Sequence, residues 1–188
     1  MNELLLLPGI EKPKTGITTL ISEDKIELSN IIDRLILQYS LFDDIYIVET
    51  KSRTNLYLYA EVLRSIEETI IDQFKNIHYC RPISIYQISM VIESADKNAP
   101  IVIPNFLIPF TDEGVTEIEK HEQYNEIKKI LITSSQNRPI IVGCKLDKFK
   151  GLEWLYKDLQ VISSNFQTII STPKLKEENK SSYQFKLF

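Results

Sequence analysis

The residues that could bind a phosphate group lie near the amino terminus. The order Gly-Ile-Thr-Thr at residues 16–19 matches the end of the motif G-x-x-x-x-G-K-[ST], in which backbone amides and a lysine cradle the phosphates. Ile17 stands where that motif has its lysine, and an apolar side chain cannot offset the charge that develops in phosphoryl transfer. The segment therefore predicts a degenerate nucleotide-binding loop of six residues: Lys12, Lys14, Gly16, Ile17, Thr18 and Thr19.

The charged residues are distributed unevenly along the chain. The formal net charge is −4, which argues against general nucleic-acid binding, because phosphate contacts need clustered lysine and arginine. Residues 111–126 are strongly acidic, whereas residues 145–157 contain four lysines. Either the lysines form a solvated face, or they make weak DNA contacts through Lys145, Lys148 and Lys150. Phe149 and Trp154 could stack on bases there, but their burial preference favours the core.

These residues need a scaffold, and short apolar runs alternate with helical patterns along the chain. Because the runs are apolar on both faces, they indicate a mostly parallel sheet between layers of helices. The alternating residues Phe166–Thr172 and Ser182–Phe188 predict a β-hairpin at the sheet edge. The predicted strands are Leu4–Leu7, Ile45–Glu49, Ile77–Cys80, Pro100–Pro104 and Pro139–Cys144. The predicted helices are Leu20–Tyr39, Asn55–Phe74, one capped by Ser84, and Val115–Thr133.

Composition is that of an ordinary globular protein, with 188 residues, 43% hydrophobic and 26% charged. This length fits one domain, and we expect residues 1–188 to form a single domain without a separate DNA-binding domain before it. No apolar run approaches the ~18 residues of a membrane span, so we expect a cytoplasmic protein without membrane contact. Cys80 and Cys144 lack metal-ligand spacing and are expected to be reduced thiols, with no metal bound.

In segment order and spacing, nearly the whole chain resembles the core of the RecA/RadA recombinase superfamily. Residues 45–50 (IYIVET) resemble the strand "YIDTE", and residues 100–110 (PIVIPNFLIPF) resemble the Walker B strand "LIVVDSLTxxF". Residues 76–87 resemble the stretch "N-(V/I)-x-x-x-R-x…H-Q". The resemblance implies a degenerate paralogue of the archaeal RadA type, similar to RadC-like and KaiC-like proteins. It also implies a three-layer RecA-like fold of the P-loop NTPase type.

The resemblance further implies that the catalytic residues are missing. One register aligns Glu49 with an aspartate and places Lys51 on the catalytic glutamate, while the other places Thr50 there. Asn105, or Pro104 in the adjacent register, replaces the aspartate that holds Mg²⁺. Together with Ile17, these substitutions predict a protein with no catalytic residues and no ATP or Mg²⁺ cofactor.

The leading hypothesis is therefore a non-catalytic accessory or adaptor protein in DNA recombination and repair. Its partner would be a protein, a RecA-type recombinase or another repair protein, and any DNA binding would be weak. One alternative is a residual ATP binder or weak ATPase that uses Lys12, Lys14 and Thr18. Another is a KaiC-like signalling or motility adaptor unrelated to DNA.

Overall fold

The computed structural model describes residues 15–49, 54–66 and 68–169 of the chain. Strands and helices alternate through these ranges, and short 3₁₀ turns complete several connections. The strands are β1 Gly16–Ser22, β2 Ile45–Val48, β3 Ile77–Cys80, β4 Ile101–Ile103, β5 Pro139–Lys145 and β6 Asn165–Ile169. The α-helices are α1 Lys25–Ser40, α2 Leu56–Ile66, α3 Ile88–Ser94, α4 Glu117–Ser134 and α5 Glu153–Ile162.

The strands form one sheet of six in the order β3-β2-β4-β5-β1-β6, and every pairing is parallel. Successive strand residues point to opposite faces, so each inner strand contributes to two hydrophobic clusters. Ile140 and Val142 join a cluster with α3, α4 and α5. Ile141 joins a cluster with α1 and α2. The predicted parallel sheet between layers of helices is confirmed.

The first described strand lies where a loop and the start of a helix were expected. Gly16–Ser22 is strand β1, and Leu20 belongs to it rather than to the first helix, which begins at Lys25. Except for Gly16, every residue of β1 is buried, and its run of β-branched and apolar side chains suits a strand covered on both faces. The predicted loop position and the predicted helix start are therefore wrong. The predicted strand Leu4–Leu7 lies outside the described residues.

The second predicted helix, Asn55–Phe74, is broken in the structure. Helix α2 ends at Ile66, and residues Glu68–Asn76 form a 3₁₀ helix instead. The sequence 65–72 (SIEETIID) contains four β-branched residues, which lower helix propensity because they lose χ1 freedom. Asn76 ends this 3₁₀ helix, and its side-chain amide donates to the carbonyl of Ser40 at 2.9 Å.

The first arm of the predicted hairpin overlaps strand β6, which lies at the sheet edge as expected. Helix α5 precedes β6, and β6 pairs with β1 in parallel, Thr18 opposite Asn165. A helical crossover between two strands on the same sheet produces this parallel arrangement. The other arm of the predicted hairpin, Ser182–Phe188, lies outside the described residues.

Candidate functional site

A cleft of about 630 Å³ opens at the carboxyl ends of β2, β4 and β5, beside α1 and α2. In open parallel sheets this edge is where ligands bind, because loops with polar side chains meet there. Acidic, amide and basic groups line the cleft together, so it is the candidate site. The charged residues that line it are Lys25, Asp33, Glu49, Lys145 and Lys148, and Asn105 lines it beside them.

The connection between β1 and α1 carries a helix cap made by the chain itself. The connection consists of Glu23 and Asp24. The Asp24 carboxylate caps the helix by accepting hydrogen bonds from the amides of Ile26 at 2.8 Å and Glu27 at 3.3 Å. The amino end of a helix attracts anions through these free amides and the helix dipole. Here a side-chain carboxylate already occupies the place that a bound phosphate would take.

Glu49 follows β2 and is buried, with 3% of its surface exposed. Its Oε2 accepts from the Thr54 amide at 2.8 Å, the Thr54 hydroxyl at 2.5 Å and the Tyr79 hydroxyl at 3.1 Å. Its Oε1 accepts from the Asn105 side-chain amide at 3.1 Å. A carboxylate offers about four lone-pair sites, so these donors hold Glu49 as a structural acceptor rather than leaving it open to activate water.

The structure thus brings together two of the three predicted degenerate catalytic positions. Glu49 and Asn105 leave neighbouring strands β2 and β4 and bond directly to each other. Lys51 lies outside the described residues. Within the part of the chain that the structure describes, no group of three or more metal-ligating side chains is placed to hold a metal ion.

Asp33 is a cleft residue that the sequence did not identify. It lies on α1, where its carboxylate accepts from the Tyr59 hydroxyl at 2.6 Å and from the Ser29 hydroxyl at 3.5 Å. Burial raises the pKa of Asp33, the hydrogen bonds from Tyr59 and Ser29 oppose that rise, and the charge of Glu49 adds to it. Its sequence signal was weak: one acidic residue among the apolar positions of a helix.

Replacing Asp33 with asparagine should remove part of the protein's pH dependence. Because the folded-state pKa of Asp33 is raised above 3.8, the native state holds this proton more tightly, and stability falls as pH rises from 3.8 through the raised value. Asp33→Asn should therefore be more stable than the native protein at pH 7, with the difference closing towards pH 3.8. Urea unfolding across this range measures the effect, and a constant difference between the two proteins would contradict it.

The predicted basic residues separate in the structure. Lys145 and Lys148 line the cleft, whereas Lys150 is exposed but does not line it. The Lys145 ammonium bonds to Asp147 at 2.8 Å, and this hydrogen bond lowers the pKa of the Asp147 carboxyl. Lys25, at the start of α1, joins this group and was missed because its helix was expected to begin at Leu20.

The aromatic neighbours of these lysines belong to the interior. Phe149 is buried and packs in the core cluster on the α3, α4 and α5 side of the sheet. Trp154 is half-buried against the same cluster and stacks on His121, with ring centroids 3.8 Å apart. The interpretation of both as core residues is confirmed.

The four predicted nucleotide-binding residues that the structure describes do not line this cleft. Ile17, Thr18 and Thr19 are buried within β1, and Gly16 begins that strand, at its amino end, with φ +88°. Glycine is favoured there because this φ is one that other residues rarely adopt, and because a Cβ would collide with the Ser164 side chain. Lys12 and Lys14 lie outside the described residues, and nucleotide binding by them stays a prediction.

No protein-family model matches the chain, and no curated protein does either. Within the described residues, no helix is both long and apolar enough to cross a lipid bilayer.

The cysteine thiols are free, and burial raises the pKa of both Cys80 and Cys144. Neither thiol is therefore activated as a nucleophile.

Proposed function

We propose that the chain is a non-catalytic RecA/RadA-like protein that acts as an accessory or adaptor in DNA recombination and repair. The observation that carries the proposal is the β1–α1 connection, where the Asp24 carboxylate caps α1. A phosphate-binding loop at this junction needs a glycine-rich backbone and a lysine. An acidic cap repels the phosphate that such a loop would hold.

The polar cluster beside this connection supports the same proposal. Glu49 is held by donors from Thr54, Tyr79 and Asn105, and the amide of Asn105 bonds to it where a magnesium-holding carboxylate would be expected. A neutral amide supplies no charge to hold Mg²⁺. The cluster links the ends of β2, β3 and β4, so its role in this proposal is to hold the sheet edge.

The mechanism we propose is recognition of a protein through a preformed surface, in the cytoplasm. The domain contributes a rigid sheet, and its outer helices present side chains to the partner. A RecA-type recombinase or another repair protein is the partner that the sequence resemblance suggests. Because fold alone does not determine function, the partner's identity is the point that needs an experiment.

A second function is favoured by the cleft itself. Its volume of about 630 Å³ and its lysines, Lys25, Lys145 and Lys148, would suit a small anionic ligand. In this alternative the protein binds a nucleotide or related anion without hydrolysing it efficiently. Thr18, which the sequence suggested for this role, is buried within β1 and would not take part.

Affinity purification of the tagged protein from its native cell, followed by quantitative mass spectrometry, tests the adaptor role. We expect recombinases or other repair proteins to be enriched over a tag-only control, and enrichment to survive nuclease treatment because it rests on protein contact. Enrichment of motility or signalling proteins instead would favour the KaiC-like alternative. Loss of all enrichment after nuclease treatment would contradict the proposal.

A further inference from the structure

Four large apolar side chains are exposed on the 3₁₀ turn Ile85–Gln87 and the residues before it, on α3, and on the first turn of α4. Ile83 is 85% exposed, Tyr86 44%, Met90 66% and Ile118 73%. We call these four residues the apolar patch. Large apolar side chains gathered on a surface mark interaction sites more often than single exposed ones do. Val161, which is also exposed, lies on a different helix, α5.

Hydrogen bonds connect the turn that carries Tyr86 to Ile83 and to α4. The amide of Ile83 donates to the Gln87 side chain at 2.7 Å, so Ile83 folds back over the turn that carries Tyr86. The Tyr86 hydroxyl donates to Glu119 of α4 at 3.3 Å. Ile118 directly precedes Glu119, and α3 packs along α4. The Tyr86–Glu119 bond therefore brings the turn before α3 next to the first turn of α4, which carries Ile118.

The rim of the patch is acidic on α3 and α4, and exposed Arg81 lies two residues before Ile83. Glu93 and Glu122 are exposed on α3 and α4, and Glu119 lies between Tyr86 and the Thr116 cap. Desolvation and the charges of Glu119 and Glu122 raise the pKa of Tyr86, which places both carboxylates within electrostatic range of the patch. Lys120, the basic residue on this part of α4, is already paired with Glu117 at 2.6 Å.

We propose that the apolar patch is a docking surface for a basic amphipathic segment of a partner protein. Apolar side chains of that segment would cover Ile83, Tyr86, Met90 and Ile118, and its lysines or arginines would pair with the acidic rim. Apolar anchors supply affinity at such surfaces, while complementary charge supplies orientation and speed of association. This inference rests on the proposed adaptor function and specifies the chemistry of its partner.

Charge also decides against other occupants. A nucleic acid or an anionic membrane surface would be repelled by Glu93, Glu119 and Glu122. A second copy of the chain, with its net charge of −4, would bring the same acidic rim to the same surface in a two-fold contact. A basic segment removes the repulsion and covers the apolar groups at once.

The experiment uses the full chain labelled with ¹³C at the methionine methyl groups. The sequence has two methionines, Met1 and Met90, so one resonance reports directly on the patch and the other is a reference. The probe is a synthetic amphipathic helix of leucine and lysine about 18 residues long. It is compared with a peptide in which every lysine is glutamate and with one in which every leucine is glutamine.

We expect the leucine–lysine peptide to shift the Met90 resonance saturably, and the two comparison peptides to leave it unchanged. Raising the salt concentration should weaken the effect, because exposed charges are screened beyond about 8 Å at physiological ionic strength. An equal response to the glutamate peptide, or no response to the lysine peptide, overturns the proposal.

Matched variants locate the binding on the surface. Replacing Ile83 and Ile118 together with serine should weaken peptide binding about tenfold, equivalent to about 1.4 kcal/mol, whereas Val161→Ser, equally exposed on α5, should not change it. Equal loss from both variants would contradict the assigned surface. A nucleotide-hydrolysis assay on the same protein reports on the proposed function separately, since turnover would contradict that function without moving the Met90 resonance.

Discussion

Gly143→Ala is expected to lower the free energy of unfolding by about 3 kcal/mol, the upper range for an added methyl in a packed core. Gly143 lies in β5, where a Cβ would sit 2.5 Å from the Pro104 carbonyl oxygen and 2.4 Å from the Ile32 Cδ1. The first of these atoms is backbone, so a side-chain rotation cannot relieve the contact. Chemical denaturation measures the loss.

Gly114→Ala is the matched control for this substitution. Its added Cβ would approach the Asp112 side chain at 3.4 Å, an ordinary contact, and the same change of residue type is made. We expect its free energy of unfolding to stay within about 0.5 kcal/mol of the native value. Equal losses in the two variants would show that β5 and the β4 exit do not pack as closely as described.

Glu49→Leu is expected to cost about 3 kcal/mol of stability, because several half-buried donors lose a hydrogen bond and each such bond contributes about 0.5–1.5 kcal/mol. The change removes the acceptor of the Thr54 hydroxyl, the Tyr79 hydroxyl and the Asn105 amide together. Glu49→Gln keeps one acceptor oxygen and should cost less. Urea unfolding of the native protein, Glu49→Gln and Glu49→Leu measures the order of their stabilities.

Glu61→Leu is the surface control for Glu49→Leu, since Glu61 is exposed on α2 and leucine suits a helix. Its stability should change by less than about 0.5 kcal/mol. If Glu49→Leu and Glu61→Leu have similar effects, Glu49 is not the centre of a structural hydrogen-bond cluster. A catalytic or ligand-binding role for its carboxylate would then become the better explanation.

The position of Glu49 next to Asn105 could be anticipated from the sequence. Both follow short apolar runs, and the carboxyl ends of parallel strands meet at one edge of the sheet. The strands themselves were recognisable because their β-branched runs are apolar on both faces. The bond between the two side chains could not be predicted from the sequence. It depends on the side-chain rotamers that Thr54 and Tyr79 allow.

The errors have local physical causes. Residues 16–22 combine a glycine and threonines with apolar residues, so this sequence is compatible both with the end of a phosphate-binding loop and with a buried strand. The buried pattern of β1 decides for the strand. Helix α5 was overlooked because its stripe of Leu155 and Leu159 is short and follows a lysine-rich stretch. Once α5 is present, a parallel β6 follows from the crossover geometry.

Asp33 shows a different limit. Its partner Tyr59 lies 26 residues away on α2, and no local pattern predicts that the two side chains meet. The pairing of Asp33 with Glu49 in one cleft likewise depends on how α1 and α2 cover the sheet. Long-range side-chain contacts of this kind can be identified only from the structure, whereas the order of the layers can be predicted from the sequence.

The proposed function requires that this sheet edge neither binds nor hydrolyses nucleotide and that the protein acts through contact with a partner. Isothermal titration calorimetry of the full chain with Mg-ATP tests it most directly. The Asp24 cap at α1 and the Glu49–Asn105 bond predict no heat of binding, or a dissociation constant weaker than about 1 mM. A dissociation constant tighter than about 10 µM, corresponding to roughly −7 kcal/mol, would contradict the claim.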